Sequence, residues 1–350
     1  MSAIAEVRER LTEIRPAGLK RDIVAAGLVR EVGVEDGVVT VHLQPGPLPP
    51  PIVEATIADI RRAVGALDGV VRVEVQLARG PAEADRESLP GVGDIVAVSS
   101  TKGGVGKSTV AVNLACALAR LGQRVGVLDA DVYGPSLPTM LGVSGRPQVI
   151  ERTKVIPLER HGLRVMSMGF FLDDTSPVIW RGPLVTGLLR QFLRDVQWGE
   201  LDVLVVDMPP GTGDAQLTLV QQVPLSGAVV VTTPQAVSVI DVERGIAMFN
   251  QVNTPVLGIV ENMSAYVCPH CGTRDELFGS GGAAQLERAF GVPVLGRIPI
   301  VPAVRASGDA GTPIVIDQPE HPVSRIYASI AEQVLDRVAA ERTPAPRIVG

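Results

Sequence analysis

From Asp94 onward, short unbroken apolar runs recur along the chain: Ile95–Val98, Val125–Leu128, Val203–Val206, Ala228–Val231 and Val256–Val260, with weaker runs at Leu163–Met166 and Val294–Ile298. A strand with one face in water alternates apolar and polar side chains, whereas an unbroken run needs cover on both faces. Helix-period segments lie between several of these runs, at Thr109–Leu121, Leu184–Val196 and Val237–Phe249. Strands and helices that alternate in this way are joined by right-handed crossovers. The expectation is an α/β fold, a doubly wound and mostly parallel sheet over residues 94–341. Ligands of such sheets bind at the carboxyl ends of the strands.

The preceding residues keep a different rhythm. Residues 3–14 and Asp22–Arg30 have helical spacing, Val38–Leu43 alternates like a strand, Ile52–Leu67 is helix-periodic, and Val71–Leu77 alternates again. That order, α-β-α-β, predicts a small α+β domain over residues 1–80. Residues 81–93 read as a linker and residues 342–350 as a flexible, proline-containing tail. The chain is 350 residues long with a net charge of −6, an acidic balance that argues against a nucleic-acid partner. No apolar run approaches the ~18–20 residues of a membrane span, and the N-terminus has no signal-peptide core. Three cysteines in a chain of this length exclude a disulfide scaffold and fit a reducing compartment, so the cytoplasm is expected.

Chemistry concentrates first in Thr101-Lys102-Gly103-Gly104-Val105-Gly106-Lys107-Ser108-Thr109. The segment follows an apolar strand run and opens a helix, the context a phosphate-binding loop requires. Its glycines let backbone N–H groups wrap phosphate oxygens, and the helix adds its positive end. In this arrangement Lys107 reaches the β- and γ-phosphates of ATP and the Ser108 hydroxyl ligates Mg²⁺. Asp207 ends the apolar run Val203–Val206 and is placed to hold Mg²⁺ through water, with the Pro209–Gly213 loop behind it. The chain has only four lysines, Lys20, Lys102, Lys107 and Lys154, and two of them stand five positions apart in this loop.

The second lysine marks a resemblance. With Thr101 where the ordinary pattern has glycine, and Lys102 after it, the loop resembles the deviant phosphate loop of the family that includes partition and septum-site ATPases, nitrogenase iron protein and Mrp/ApbC carriers. The resemblance spans about 250 residues. It implies that Lys102 reaches the nucleotide of the facing subunit in a homodimer, and that Asp131, in Leu128-Asp129-Ala130-Asp131, positions the attacking water. It further implies that Asn262, after the run ending at Val260, reads adenine.

The second concentration is Val267-Cys268-Pro269-His270-Cys271-Gly272. Two cysteines separated by two residues can place both sulfurs on one metal, zinc or an iron–sulfur cluster, and can also act as a redox dithiol. Cys116 lies on the helix behind the phosphate loop and reads as a buried apolar residue; His270 reads as an exposed loop residue. A tetrahedral site wants about four ligands, which two copies of the chain supply together. Mrp/ApbC carriers look like this, with a [4Fe–4S] cluster bridging two subunits through such a pair, and Ile179-Trp180-Arg181-Gly182-Pro183 is similar to that subfamily. The segment Asp22–Val29 resembles a small iron–sulfur-assembly domain often fused ahead of these carriers. Its loop Leu43–Pro49 lacks the cysteine common in such domains, so docking or structural support is the expected role.

These readings converge on a homodimeric ATPase that binds ATP and Mg²⁺, hydrolyses ATP slowly, and passes a [4Fe–4S] cluster to apo iron–sulfur proteins. The alternatives are a positioning ATPase acting on membrane or DNA and a zinc-stabilised regulatory ATPase. The first wants a basic anchor, and Ile326–Val338 is followed by Ala-Ala-Glu-Arg and prolines. A nitrogenase-like reductase wants a cysteine after the strand-end Asp, and Asp207–Gln216 contains none.

Overall fold

In a computed structural model of the chain, the residues described are 3–16, 21–35, 37–43, 50–77, 89–132, 134–151, 153–171, 182–268 and 270–342. Most of the 81–93 linker, Gln44–Pro49, Ile179–Arg181, Pro269 and the 343–350 tail lie outside them. The chain forms two compact units, one of Met1–Ala84 with Asn250–Asn253, the other of Asp85–Phe249 with Thr254–Gly350.

The first unit contains α1 (Ala3–Leu11), β1 (Val29–Glu35), β2 (Val38–Leu43), α2 (Pro50–Gly65) and β3 (Arg72–Leu77). Its sheet has the order β1-β2-β3, with β1 antiparallel and β3 parallel to β2. Val39, Val41 and Leu43 turn inward from β2 and meet Val7 and Leu11 of α1 and Ile60 and Val64 of α2. The helix expected over Asp22–Arg30 is absent. A turn occupies residues 23–27 and the chain becomes strand at Val29. Asp22 Oδ1 accepts the N–H groups of Val24 and Ala25 at 3.0 and 2.8 Å, and Gly27, at φ +71°, reverses the backbone before a second helical turn can form. The expected α-β-α-β order is therefore α-β-β-α-β.

The second unit runs through β4 (Val92–Ser99), α3 (Lys107–Arg120), β5 (Val125–Asp129), α4 (Leu137–Leu141), a small hairpin of β6 (Val149–Ile150) and β7 (Lys154–Val155), β8 (Leu158–Arg160) and β9 (Leu163–Ser167). It continues with α5 (Gly182–Asp195), β10 (Leu201–Asp207), α6 (Asp214–Gln222), β11 (Gly227–Thr232), α7 (Ala236–Gln251), β12 (Val256–Val267), β13 (Arg274–Asp275), α8 (Gly282–Phe290), β14 (Val294–Ile300), α9 (Pro302–Asp309), α10 (Ile314–Asp317) and α11 (Pro322–Arg342). Among the described residues nine strands form one sheet in the order β13-β12-β11-β4-β10-β5-β9-β8, with β14 also on β12. All its pairings are parallel except β8 with β9 and β13 with β12. The mostly parallel doubly wound sheet follows from the apolar runs: every residue of β5 and β11 is buried.

The first strand of this unit, β4, is central, flanked by β10 and β11. The polypeptide leaves it for α3, whose Leu114 and Leu118 are fully buried; trimming either to Ala costs about 2–5 kcal/mol. The carboxyl ends of β5, β10 and β4 stand side by side, Asp207 in register with both Asp129 and Val98. The strand expected to end at Val260 runs on to Val267, so Asn262 sits inside it. A slip of register between Asn262 and Tyr266, with Met263 at φ +56°, bends β12 at that point, and Tyr266 and Val267 then pair with β13.

Candidate nucleotide and thiol sites

The phosphate loop leaves β4 at Ser99 and enters α3 at Lys107. Gly104 and Gly106 hold φ of +80° and +83°, the left-handed region where a side chain is strained. A Cβ on Gly106 would also collide with the Asn262 amide nitrogen. The loop borders a cleft of about 300 Å³ lined by Gly103, Gly104, Lys107, Ser108, Asp131 and Pro210, among others. A larger groove of about 520 Å³ opens between Arg124, Glu159 and Arg164, but Asp202 and Glu159 already pair with its arginines.

Beneath the loop lies a buried charge cluster. Lys107 is 6 % exposed; its Nζ donates to Asp207 Oδ1 at 2.6 Å and to Ser108 Oγ at 3.3 Å, with Asp131 Oδ2 at 3.6 Å. Asp207 is fully buried, and its second carboxylate oxygen has no hydrogen-bond partner among the described residues. Burial pushes Asp207 up, while the Lys107 ammonium pulls it back. An orphaned, buried carboxylate oxygen next to a hydroxyl is the hard-oxygen donor set a divalent cation accepts. Sequence, fold and charge thus bring Lys107, Ser108, Asp131 and Asp207 together.

Three participants escaped the sequence reading. Asp129 is fully buried and accepts from the Asp131 N–H at 3.2 Å, the Leu137 N–H at 3.2 Å and Ser167 Oγ at 3.0 Å, holding the segment that carries Asp131. Burial, with the Asp207 charge adding, pushes its carboxyl up to about 7. Its place two residues before Asp131 at a strand end was the available signal. Gln216, 1 % exposed, donates from Nε2 to the Pro209 carbonyl and lies 3.4 Å from Ser99 Oγ, tying the loop after β10 to the root of the phosphate loop. Nothing in its sequence context announces this. Asp241 is the third: its Oδ2 takes the Lys102 ammonium at 2.8 Å. Lys102, spare in the sequence reading, therefore has a partner in its own chain, on α7, reachable only after folding.

Asn262 is 8 % exposed and donates from Nδ2 to the Val105 carbonyl at 2.8 Å, so here it braces the phosphate loop. Cys268 and Cys271 lie farther along the same chain segment, in a turn closed by Cys268 N to Thr273 O at 3.0 Å and Gly272 N to Cys268 O at 2.9 Å. Cys271 is exposed and Cys268 partly so. Thr273, from its hydroxyl and its backbone, and the neighbouring Cys268 hold the Cys271 thiol below its usual value, favouring the thiolate a metal binds. Among the described residues no group of three or more His, Cys, Asp or Glu gathers to hold a metal, so His270 does not complete a site with the pair. Cys116 is fully buried on α3, its thiol pushed up to about 12 by desolvation. No helix among the described residues is long and apolar enough to cross a membrane.

Comparison with known proteins identifies the family of the chain. Residues 4–75 match a family described as iron-sulfur cluster assembly protein. An iron-sulfur cluster carrier protein of Synechocystis is 47 % identical over 341 residues, 94 % of this chain and 97 % of its own. One of Aquifex aeolicus is 41 % identical over 97 % of this chain and 99 % of its own. A nucleotide-binding protein of Archaeoglobus fulgidus, solved in complex with ADP, superposes with a TM-score of 0.60 at 39 % identity, over 72 % of this chain and 98 % of that one. The Pyrococcus furiosus cell division ATPase MinD, at 23 % identity and a TM-score of 0.52, covering 70 % of this chain and 99 % of its own, shares the fold. With residues 91–335 matching the NUBPL iron-transfer P-loop NTPase family over most of the chain, the protein belongs to that family.

Proposed function

We propose that this protein is an ATP-dependent, homodimeric carrier that holds a [4Fe–4S] cluster and delivers it to apo iron–sulfur proteins. One observation carries the reading: β12 bears both Asn262, hydrogen-bonded to the phosphate loop, and, just beyond its end, the cysteine pair. Asn262 and Cys268 stand six positions apart on one strand segment, at most about 20 Å, with the bend at Met263 between them, so a shift of the loop on nucleotide binding is passed along one backbone to the sulfurs. The relatives' names, iron-sulfur cluster carrier protein, support the cargo.

In this reading the backbone N–H groups of residues 101–109 cradle the phosphates, and Lys107 turns from Asp207 toward the β- and γ-phosphates. Ser108 and Asp207 would hold Mg²⁺, which when bound neutralises phosphate charge. Asp131 orients the attacking water, with Asp129 holding its backbone in place. Hydrolysis here is positioning and charge neutralisation. Lys102 serves the partner's nucleotide by exchanging its Asp241 contact, which is partly exposed and therefore weakly held. Asn262 reads adenine by the same kind of exchange, releasing Val105. ATP and ADP differ in what they ask of these side chains, and that difference in affinity biases the dimer. Cys268 and Cys271 hold the cargo at the protein surface, where a recipient can take it.

The test is anaerobic reconstitution with iron and sulfide of wild type, Cys268→Ala and Cys271→Ala. Each substitution is expected to abolish cluster absorbance and leave ATP binding intact. A full cluster on either variant, or zinc in place of iron and sulfide in the anaerobically purified protein, overturns the reading.

A further inference from the structure

We propose that Leu277 and Phe278 form an apolar contact with a second copy of this chain, on the same ribbon as the metal site that the two copies share; this rests on the carrier reading above. Residues 270–281 are all exposed. Within this stretch Leu277 is 56 % and Phe278 37 % exposed, two adjacent large apolar side chains with water over them. Single exposed apolar residues are ordinary, but a pair beside a cysteine turn marks a contact face.

The pair is presented by fixed backbone. Val267 pairs with Arg274 and Tyr266 with Asp275 across the β12–β13 ribbon, and Gly279 N donates to Glu276 O at 2.9 Å, closing a turn around Leu277 and Phe278. Gly272 and Gly279, at φ +71° and +80°, make the reversals that set the cysteine turn and this turn on one short ribbon. Leu277 lies four residues past Thr273, the partner of Cys268, so at most about 13 Å of chain separates it from the end of the cysteine turn.

A second copy is the occupant that satisfies each feature. Two sulfurs per chain leave a four-ligand metal site half built, and a two-fold axis beside the turn supplies the other half. Such an axis sets the same patch against itself, so Leu277 and Phe278 of both copies bury together. It also asks for both signs of charge on one surface, and Arg274 stands next to Asp275 and Glu276 on this ribbon. Arg274 makes no ion pair among those seen within the described residues, which leaves it available to a carboxylate across the axis.

The experiment uses the full chain, loaded anaerobically with ferrous iron and sulfide, and compares wild type with the double variant Leu277→Ser/Phe278→Ser. Both side chains are exposed, so the fold tolerates the change, and an unaltered thermal unfolding profile with unaltered ATP binding establishes it. Sedimentation is expected to show the loaded variant's dimer weakened at least about tenfold, and the cluster lost correspondingly faster to an iron chelator. A variant that dimerises and retains cluster like wild type overturns the proposal. So does one with a normal dimer but slowed transfer to an apoprotein, because the patch then meets the recipient. A wild type that loads iron but stays monomeric overturns both this contact and the bridged-carrier reading, whereas cysteine variants that lose the cluster beside an unaffected serine variant overturn this contact alone.

Discussion

Replacing Lys107 by methionine removes a charge whose surroundings have no substitute for it. Its ammonium lies 2.6 Å from Asp207 Oδ1, and Asp207 is fully buried with its other oxygen unpaired. Asp129, in register on the neighbouring strand and fully buried, adds a second carboxylate. At that separation the attraction is about 6 kcal/mol for an effective dielectric constant of ~20. Deletion of one partner of a buried pair typically costs about 3–5 kcal/mol, since the stranded carboxylate takes up a proton. Against a total stability of about 5–15 kcal/mol that is a severe loss. Its pH dependence follows from the raised Asp207 value. The unfolded carboxylate ionises near 3.8, while the folded one resists ionisation because of burial. Loss of the ammonium raises the folded value further, so the deficit against wild type is absent at low pH, grows as pH rises above the wild-type folded value, and is complete above the variant's. Urea unfolding of nucleotide-free protein, followed by circular dichroism, should show a larger deficit for Lys107→Met at pH 8 than at pH 5. Adding Asp207→Asn should recover more than half of the deficit at pH 8. A single variant within about 1 kcal/mol of wild type at pH 8, or a deficit indifferent to pH, would refute the argument.

Gly106→Ala places a methyl against Asn262 at φ +83°, and is expected to cost about 1–3 kcal/mol and to abolish nucleotide binding measured by calorimetry. Alkylation by iodoacetamide at pH 8 should label Cys271 and Cys268 in the native protein and Cys116 only in denaturant, because Cys116 is buried with its thiol near 12; mass spectrometry counts the adducts. Asp129, pushed up to about 7, destabilises the fold progressively as pH rises from about 4 to about 7. Asp129→Asn should flatten that portion of the stability profile and slow ATP turnover more than it weakens ATP binding, since the Asp131 segment loses an acceptor while the phosphate loop is untouched. Asn262→Ala leaves the Val105 carbonyl without its 2.8 Å donor, and thermal unfolding should register a loss of about 1–3 kcal/mol.

What could be read along the chain was whatever depends on near neighbours. The apolar runs announced strands covered on both faces, and the glycine-lysine loop between a strand and a helix announced its phosphate chemistry, because each signal is complete within a dozen residues. The cysteine pair was legible for the same reason. Local signals misled where short-range competition decided: Asp22 and Gly27 made a turn of a segment with helical spacing, and Tyr266 and Val267 prolonged β12 past Val260 by pairing with a strand not yet reached.

The rest belongs to tertiary structure. Asp129 becomes a high-pKa carboxylate only because β5 is packed beside β10 and covered, which sets it near Asp207 and away from water. Asp241 meets Lys102, and Gln216 spans the loops after β4 and β10, across separations of more than a hundred residues. Composition and spacing along the chain decided which chemical groups this protein owns. Which of them share a dielectric environment, a hydrogen bond or a charge was decided by strand order, because electrostatic and packing energies depend on distance in space and the chain constrains that distance only between near neighbours.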